Sequence, residues 1–169
     1  TLVDKDRQWF KTKIGVEHNQ TPRDISFCAH SILEPHELTY VPDASIDPRF
    51  ADNPDVTKPD GIRLYAGAPL TLSNGAVLGT LCVVDSVPRE LSPEQLEALR
   101  LLSAQAVTLM QNRLIAINSM EQQQTLATII EHVPVLLGQV DRQFRYVFCN
   151  QKYAEWFGID IDKAIGRTV

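Results

Sequence analysis

The sequence contains little cysteine, and its cysteines follow no recurring spacing. Among the 169 residues there are three, Cys28, Cys82 and Cys149, which stand apart among apolar or small neighbours. An odd number without a spacing pattern excludes a disulfide framework and is typical of free thiols. The sequence therefore predicts a protein of the reducing cytoplasm.

Long apolar runs and an excess of positive charge are also lacking. No stretch of about 18 apolar residues occurs, so no membrane span is predicted, and the start does not have the pattern of a secretory signal. The formal net charge is −5 and the pI is near 5.3. Without a basic run, the chain does not have the positive surface that nucleic acids require, which excludes nucleic acid as its main partner.

Metal-ligand patterns are absent as well. The four histidines, at positions 18, 30, 36 and 132, never fall at close ligand spacing. Cys28 and His30 alone supply too few ligands for zinc. The sequence predicts no metal site and no definite cofactor, and it leaves open an unidentified small-molecule ligand.

What the chain does contain is an ordinary globular composition, with 44% hydrophobic and 22% charged residues. Its length allows one full domain and part of a second. The first residue is a threonine, and Leu2-Val3 resembles the end of a strand. We therefore expect the sequence to be an excerpt of a longer protein.

The strongest local signal lies in residues 63–85, where two apolar runs flank Ser73-Asn74-Gly75. Asn-Gly tolerates the positive φ angles of a tight turn, so the pattern predicts a β-hairpin. One face of this hairpin is small and aliphatic, and the other is more polar and suited to the wall of a pocket. Because both faces are largely apolar, we expect the hairpin in the middle of a sheet that is covered on both sides.

The turn also predicts the register of the hairpin. Pro69 cannot donate a hydrogen bond, so its partner Thr80 is expected at a non-hydrogen-bonded pair or at a bulge. Four pairs are expected on the aliphatic face: Leu72 with Val77, Leu70 with Gly79, Ala68 with Leu81, and Ala66 with Val83.

Weaker signals predict the elements before the hairpin. Two paired strands are expected at residues 1–3 and 8–14, followed by a loop over residues 15–23. Asp24 is the expected N-cap of a helix that ends at Leu33. Residues 38–41 predict a further strand.

A long helix is predicted after the hairpin. Ser92, Pro93 and Gln95 form the pattern of a capping box, and no glycine or proline follows until Pro134. An uninterrupted helix of that length is typical of a coiled-coil connector, although Arg113 and Gln124 fall near core positions. The alternative is a break near Asn118-Ser119, which gives two shorter helices.

Residues 134–169 predict the start of a second domain. Two strands are expected at residues 135–140 and 145–149, and a short helix over residues 151–157 that ends at Gly158. A segment of this length is too short to enclose a core by itself.

Six sequence blocks occur in order along residues 1–117, namely LVDKDRQWF, TPRDISFCAH, VPDASIDPRFADNP, IRLYAGAPL, GTLCVVD and PRELSPEQ. Together they resemble the GAF domains of bacterial sensor proteins. The resemblance implies an α+β fold, with a central antiparallel sheet that has helices on both faces. The usual first helix and most of the usual first strand are missing from this sequence.

Three further blocks, VPVLLGQVD, RYVFCNQKYAEWFG and IGRTV, resemble the opening of a PAS domain, with Asp141, Asn150 and Gly158 at its marked positions. The resulting domain organisation is a GAF domain at residues 1–117, a helical connector at 118–133 and an incomplete PAS domain at 134–169.

The resemblance implies a regulatory sensor module without catalysis in this fragment. Such a module binds a small ligand or senses redox state, forms a homodimer, here through residues 93–132, and signals to a downstream PAS and output domain. The implied outputs are a sensor histidine kinase, as in two-component systems, or a diguanylate cyclase. One alternative is a purely structural dimerisation module with a filled pocket.

Another alternative is a cysteine-based enzyme, because free methionine-R-sulfoxide reductases are GAF proteins. Cys28 falls near one cysteine of that family, but the position of its catalytic cysteine lies in Gly61-Ile62-Arg63-Leu64, which holds none. The sequence context of a covalent bilin is also absent beyond SFCAH. Both activities are therefore disfavoured.

The candidate ligand site combines the predicted short helix with the polar face of the hairpin. Polar groups gathered on an otherwise apolar face are typical of a small-molecule site. The alternative is a filled core in which the cysteines act as small hydrophobic residues. The residues expected to line the pocket are Phe27, Cys28, His30, Tyr65, Thr80 and Cys82.

Overall fold

The computed structural model describes residues 1–168, so Val169, the last residue of the expected PAS segment, lies outside the described part. The chain divides into two compact units, Thr1–Gln111 and Asn112–Val169. No helix within residues 1–168 combines the length and the apolar character needed to cross a bilayer.

The first unit contains a six-stranded antiparallel sheet with the strand order β3-β2-β1-β6-β5-β4. The predicted α+β architecture, a central antiparallel sheet with helices on both faces, is confirmed. Its strands are β1 (Leu2–Val3), β2 (Arg7–Trp9), β3 (Gln20–Pro22), β4 (Thr39–Val41), β5 (Leu64–Thr71) and β6 (Val77–Asp85).

Strands β5 and β6 form the predicted hairpin, and both are interior strands of the sheet. Ala66 pairs with Val83 and Ala68 with Leu81, as expected, and Pro69 pairs with Thr80. The register then shifts, and Thr71 pairs with Val77. The expected pair of Leu72 with Val77 is therefore wrong, and the irregularity falls where Leu70 was expected to pair with Gly79. Since Pro69 cannot donate to the ladder, the irregularity begins where the ladder is already weakened.

Gly79 allows the sheet to continue beyond the hairpin. It pairs with Leu2 of β1, and a Cβ atom at this position would overlap the carbonyl oxygen of Thr1. The close approach of the two strands therefore requires a glycine.

The two faces of the hairpin are covered by different helices. The short helix α1 (Phe27–Ser31) packs on the polar face, where Phe27, Cys28 and Tyr65 are buried together. The long helix α3 (Pro93–His132) packs on the aliphatic face, where Leu99 lies against Ala66 and Ala68. Between β4 and β5 lies the short helix α2 (Pro54–Thr57).

The region before α1 differs from the sequence prediction. Strand β2 ends at Trp9 rather than at residue 14, because the chain turns back and the Phe10 amide donates to the Asn19 carbonyl. The segment 15–23, which is expected to be a loop, contains strand β3 (Gln20–Pro22). Helix α1 begins at Phe27, since Ser26 rather than Asp24 is its N-cap and accepts from the Ala29 amide at 3.0 Å.

Helix α3 begins as predicted. The Ser92 amide donates to the Gln95 side chain at 2.9 Å, and the Gln95 amide donates to the Ser92 hydroxyl at 3.3 Å, which completes the capping box. The helix runs without interruption to His132. The alternative of a break near Asn118 is therefore wrong.

The second unit contains a two-stranded sheet and two short helices. Strand β7 begins only at Gly138, because the segment from Pro134 to Leu137 is held by Asn150 instead of a partner strand. Helix α4 ends at Gly158, whose φ of 64° is the left-handed C-cap that the sequence predicts. The elements are β7 (Gly138–Val140), β8 (Tyr146–Cys149), α4 (Gln151–Phe157) and α5 (Ile161–Ala164).

Candidate functional site

The candidate site lies where α1 crosses β5 and β6. The Ser26 cap is itself buried and donates to the Gln8 side chain of β2, which fixes the start of the helix against the sheet. The helical spacing of Phe27, Cys28 and Ser31 then directs all three side chains towards the strands, and all three are buried.

The aromatic half of the site is closely packed. The Phe27 ring stacks on Phe50 with centroids 4.2 Å apart, and it lies 5.1 Å from the Tyr65 ring. His30 is on the outer side of α1, where its exposed ring meets the edge of Phe50 at 4.9 Å.

The polar half of the site is a continuous series of hydroxyl and thiol groups. The Ser31 and Tyr65 hydroxyls form a hydrogen bond of 2.8 Å, and the Tyr65 hydroxyl donates to the Cys28 sulfur at 3.6 Å. The Cys28 and Cys82 sulfurs are 3.9 Å apart. These side chains connect α1 to both strands of the hairpin.

Four of the six expected pocket residues, Phe27, Cys28, Tyr65 and Cys82, therefore come together, and Thr80 lies beside Cys28. His30 lies outside their cluster. We name this group, with Ser31, the thiol cluster; its members are Phe27, Cys28, Ser31, Tyr65, Thr80 and Cys82. Sequence reasoning missed Ser31, although its position three residues after Cys28 on the same helix places it on the same face.

The arrangement of sheet and helices agrees with a match between residues 1–109 and the family model for the GAF domain. The chain belongs to the GAF domain family. A second family model, for the PAS fold, matches residues 130–169. A GAF domain followed by a PAS fold makes the chain a sensor module of a signalling protein.

The chain also has measurable similarity to two individual proteins. A cyclic di-GMP phosphodiesterase of Pseudomonas aeruginosa is 51% identical over 89 residues, which are 53% of this chain and 15% of that protein. The chain thus spans about 15% of the length of this relative. A chain in the crystal structure of the E. coli DhaR(N)–DhaL complex is 20% identical to this chain, with a TM-score of 0.44. The match covers 63% of this chain and 36% of the other chain.

The GAF domain perturbs the acidity of the groups in the thiol cluster. A hydrogen bond from the Cys82 thiol, with smaller contributions from Thr80 and Tyr65, lowers the pKa of Cys28 to about 6 despite its burial. The same Cys28 contact, together with burial, raises the pKa of Cys82 well above its usual value. Burial and the adjacent sulfurs likewise raise the pKa of Tyr65. The cluster therefore favours one thiolate, on Cys28, surrounded by donors.

Thr80 is the one member of the thiol cluster whose side-chain hydroxyl has no hydrogen-bond partner. It is fully buried, and its Oγ1 is the only buried side-chain oxygen or nitrogen within residues 1–168 that has no hydrogen-bond partner. Its hydroxyl lies near enough to Cys28 to help lower the pKa of that thiol, although it does not form a hydrogen bond with the sulfur in this arrangement. A negative charge on Cys28 would give this donor an acceptor.

Two surface grooves flank the GAF domain core. One, of about 580 Å³, lies along the outer side of α1 and includes His30, Lys5 and Arg23. The other, of about 170 Å³, lies between β5 and α3 and includes Pro69, Arg100 and Ser103. Neither groove is lined by a member of the thiol cluster. Within residues 1–168, no three His, Cys, Asp or Glu side chains are grouped closely enough to hold a metal ion.

Proposed function

We propose that the GAF domain receives its stimulus, a small ligand or a redox change, at the thiol cluster and passes it to helix α3. One observation carries this proposal: the cluster and α3 contact opposite faces of the same strand. Tyr65 of β5 faces α1, and the next residue, Ala66, packs with Leu99 of α3. A change in the thiol cluster that displaces β5 therefore also displaces the residues of β5 that contact α3.

A thermal-shift screen tests the binding of a small ligand. Nucleotides, cyclic nucleotides and small metabolites are added to the chain at concentrations far above the expected Kd. A true ligand present at a hundredfold excess over Kd stabilises the folded state by about 2.7 kcal/mol, which raises the Tm by several degrees. The close packing of Phe27, Phe50 and Tyr65 favours the alternative of a structural module with a filled pocket. That alternative predicts no shift with any compound.

The proposal includes homodimerisation through residues 93–132. Large apolar side chains of α3 are exposed at helical spacing, among them Leu102 at 55%, Leu109 at 70% and Met120 at 65%. Their separations of seven and eleven residues place them on one side of a helix. Unpartnered apolar side chains of this kind are expected to pack against the same helix of a second chain.

Paired substitutions test the dimer. Leu102→Glu with Leu109→Glu is expected to convert the dimer into a monomer, because it puts charge into the proposed interface. The matched control is Leu101→Glu with Thr108→Glu, which shifts both changes by one residue to another side of the helix, where Leu101 is 57% exposed. Light scattering measures the mass. A monomeric parent chain, or equal loss of the dimer in both variants, would contradict the proposed interface.

The proposed output is the turnover of cyclic di-GMP. The similarity to a phosphodiesterase of this nucleotide supports it, and it favours a cyclic di-GMP enzyme over a histidine kinase. Assays of the full-length protein for cyclic di-GMP synthesis, cyclic di-GMP hydrolysis and histidine autophosphorylation distinguish the three outputs. Autophosphorylation alone would refute this part of the proposal.

A further inference from the structure

Two cysteines that are far apart in the sequence meet in the thiol cluster. Cys28 on α1 and Cys82 on β6 are separated by 54 positions, and their sulfurs lie 3.9 Å apart. Both are free thiols. The only other cysteine, Cys149, belongs to the second unit.

We propose that Cys28 and Cys82 are a peroxide-reactive pair that forms a reversible disulfide between α1 and β6. This proposal deepens the proposed function, since it names the stimulus as a small hydroperoxide. The chemistry itself can be measured on the chain without reference to dimerisation or output.

The surroundings of Cys28 suit a nucleophilic thiolate. Its sulfur accepts from the Tyr65 hydroxyl at 3.6 Å, and the Tyr65 hydroxyl is held by Ser31 at 2.8 Å. The buried Thr80 hydroxyl, which has no hydrogen-bond partner, is a further donor available to a thiolate on Cys28. The Cys82 thiol, with smaller contributions from Thr80 and Tyr65, lowers the pKa of Cys28, and reactive cysteines require such a shift because the thiolate is the attacking species.

The reaction balances with peroxide as the only oxidant. The Cys28 thiolate attacks one peroxide oxygen, the S–O bond forms, the O–O bond breaks, and the departing hydroxide takes a proton to become water. The product is a sulfenic acid on Cys28. Cys82 then attacks that sulfur, the S–S bond forms, and the hydroxyl group leaves as a second water with the Cys82 proton. The two thiols lose two electrons, and the peroxide gains them.

The partial exposure of Cys82 and the short distance between the sulfurs support this reaction. Cys28 is buried, whereas Cys82 keeps some exposure, so the proposal places the entry of hydrogen peroxide on the side of Cys82. A disulfide bond of about 2.05 Å brings the sulfurs almost 2 Å closer than they are in the dithiol. That movement draws α1 and β6 together and removes the thiolate that accepts from Tyr65.

The experiment treats the chain with hydrogen peroxide and maps its disulfides by mass spectrometry. We expect an intramolecular link between the peptides that contain Cys28 and Cys82, reversed by dithiothreitol. Cys28→Ser and Cys82→Ser are expected to abolish it, and the matched control Cys149→Ser to leave it unchanged. Absence of the link in folded wild-type chain, or a link that forms only between two chains, would overturn the proposal.

Trapping with dimedone identifies the attacking cysteine. In Cys82→Ser, the sulfenic acid on Cys28 has no resolving partner and is expected to accumulate as a dimedone adduct. In Cys28→Ser, little adduct is expected on Cys82. The reverse pattern would overturn the assignment of Cys28 as nucleophile. Circular dichroism of each variant shows whether it is folded.

Tyr65→Phe tests the donor role without removing either thiol. It is expected to slow disulfide formation severalfold and to move the pH midpoint of the reaction upwards. A purely structural role for the hydroxyl would change the Tm but not the pH midpoint.

If the disulfide forms while the output of the full-length protein is unchanged, the proposed disulfide chemistry is supported and its role in sensing is refuted.

Discussion

The two units of this chain each contain a buried cysteine and a short helix capped by a buried polar residue. Cys28 and Cys149 are 3% and 2% exposed. Hydrogen bonds from Cys82 and other donors lower the pKa of Cys28, whereas burial and the charge of Glu131 raise the pKa of Cys149. Burial alone therefore does not set the chemistry of a cysteine. At Cys28, the thiol of Cys82 and the hydroxyls of Thr80 and Tyr65 lower the pKa that burial alone would raise.

The N-cap residues of α1 and α4 also differ, in the number of hydrogen bonds that their side chains form. The Ser26 side chain caps α1 and forms one further hydrogen bond, which it donates to the Gln8 side chain. Asn150 caps α4 at Tyr153, accepts from the Leu137 amide at 3.1 Å, and donates to two carbonyl oxygens, those of Ile130 and Val135. One side chain thus holds three segments of the second unit, which has few other buried residues to do so.

The largest expected effect is that of Asn150→Ala on the second unit. Loss of the cap and of the other buried hydrogen bonds is expected to cost about 3 kcal/mol, against about 1 kcal/mol for Ser26→Ala in the first unit. Hydrogen exchange of residues 134–168 measures the local effect. Asn150→Asp keeps the accepting oxygen but places a buried carboxylate oxygen against the carbonyl oxygens of Ile130 and Val135, so it is expected to destabilise the second unit at least as much as Asn150→Ala. Equal protection in Asn150→Ala and the parent chain would contradict this account.

The next effect concerns the reactivity of the two buried thiols. At pH 7, a small neutral thiol reagent is expected to modify Cys28 about a hundredfold faster than Cys149, because only Cys28 is largely thiolate there. The Cys28 pKa lies below its usual value, so its rate falls as the pH drops through about 6 and is level above about 7. Mass spectrometry of labelled peptides between pH 5 and pH 9 measures both rates. Equal rates would remove the distinction between the cysteines.

The smallest effect is expected from Thr80→Val. This change removes a buried hydroxyl without a partner, so the free energy of unfolding is expected to rise by about 1 kcal/mol at pH 5, where Cys28 is protonated. Above pH 7 the gain is expected to shrink, because the valine cannot donate to the thiolate. Denaturant unfolding at both pH values measures the difference. A loss of stability at pH 5 would show that the hydroxyl has a partner.

Local chemistry could be predicted closely from the sequence. The Ser92 capping box and the C-cap at Gly158 depend on neighbouring residues, and the structure confirms both. The hairpin also forms where it is predicted, but its turn is shifted by one residue, because the Gly75 amide donates to the Leu72 carbonyl and the turn is centred on Ser73-Asn74. The start of α1 cannot be decided from local sequence, because Asp24 and Ser26 are both good capping residues. Contact with Gln8 on a distant strand favours Ser26.

The sequence by itself determined the hairpin and the long helix, since both follow from local residue patterns, and the resemblance of its sequence blocks to GAF domains implied the α+β class. Only the tertiary structure decided that β1 reaches Gly79, that His30 points away from the cluster, and that the sulfurs of Cys28 and Cys82 lie 3.9 Å apart. The physical reason is that packing across the sheet joins residues more than fifty positions apart, and no local pattern encodes such a distance.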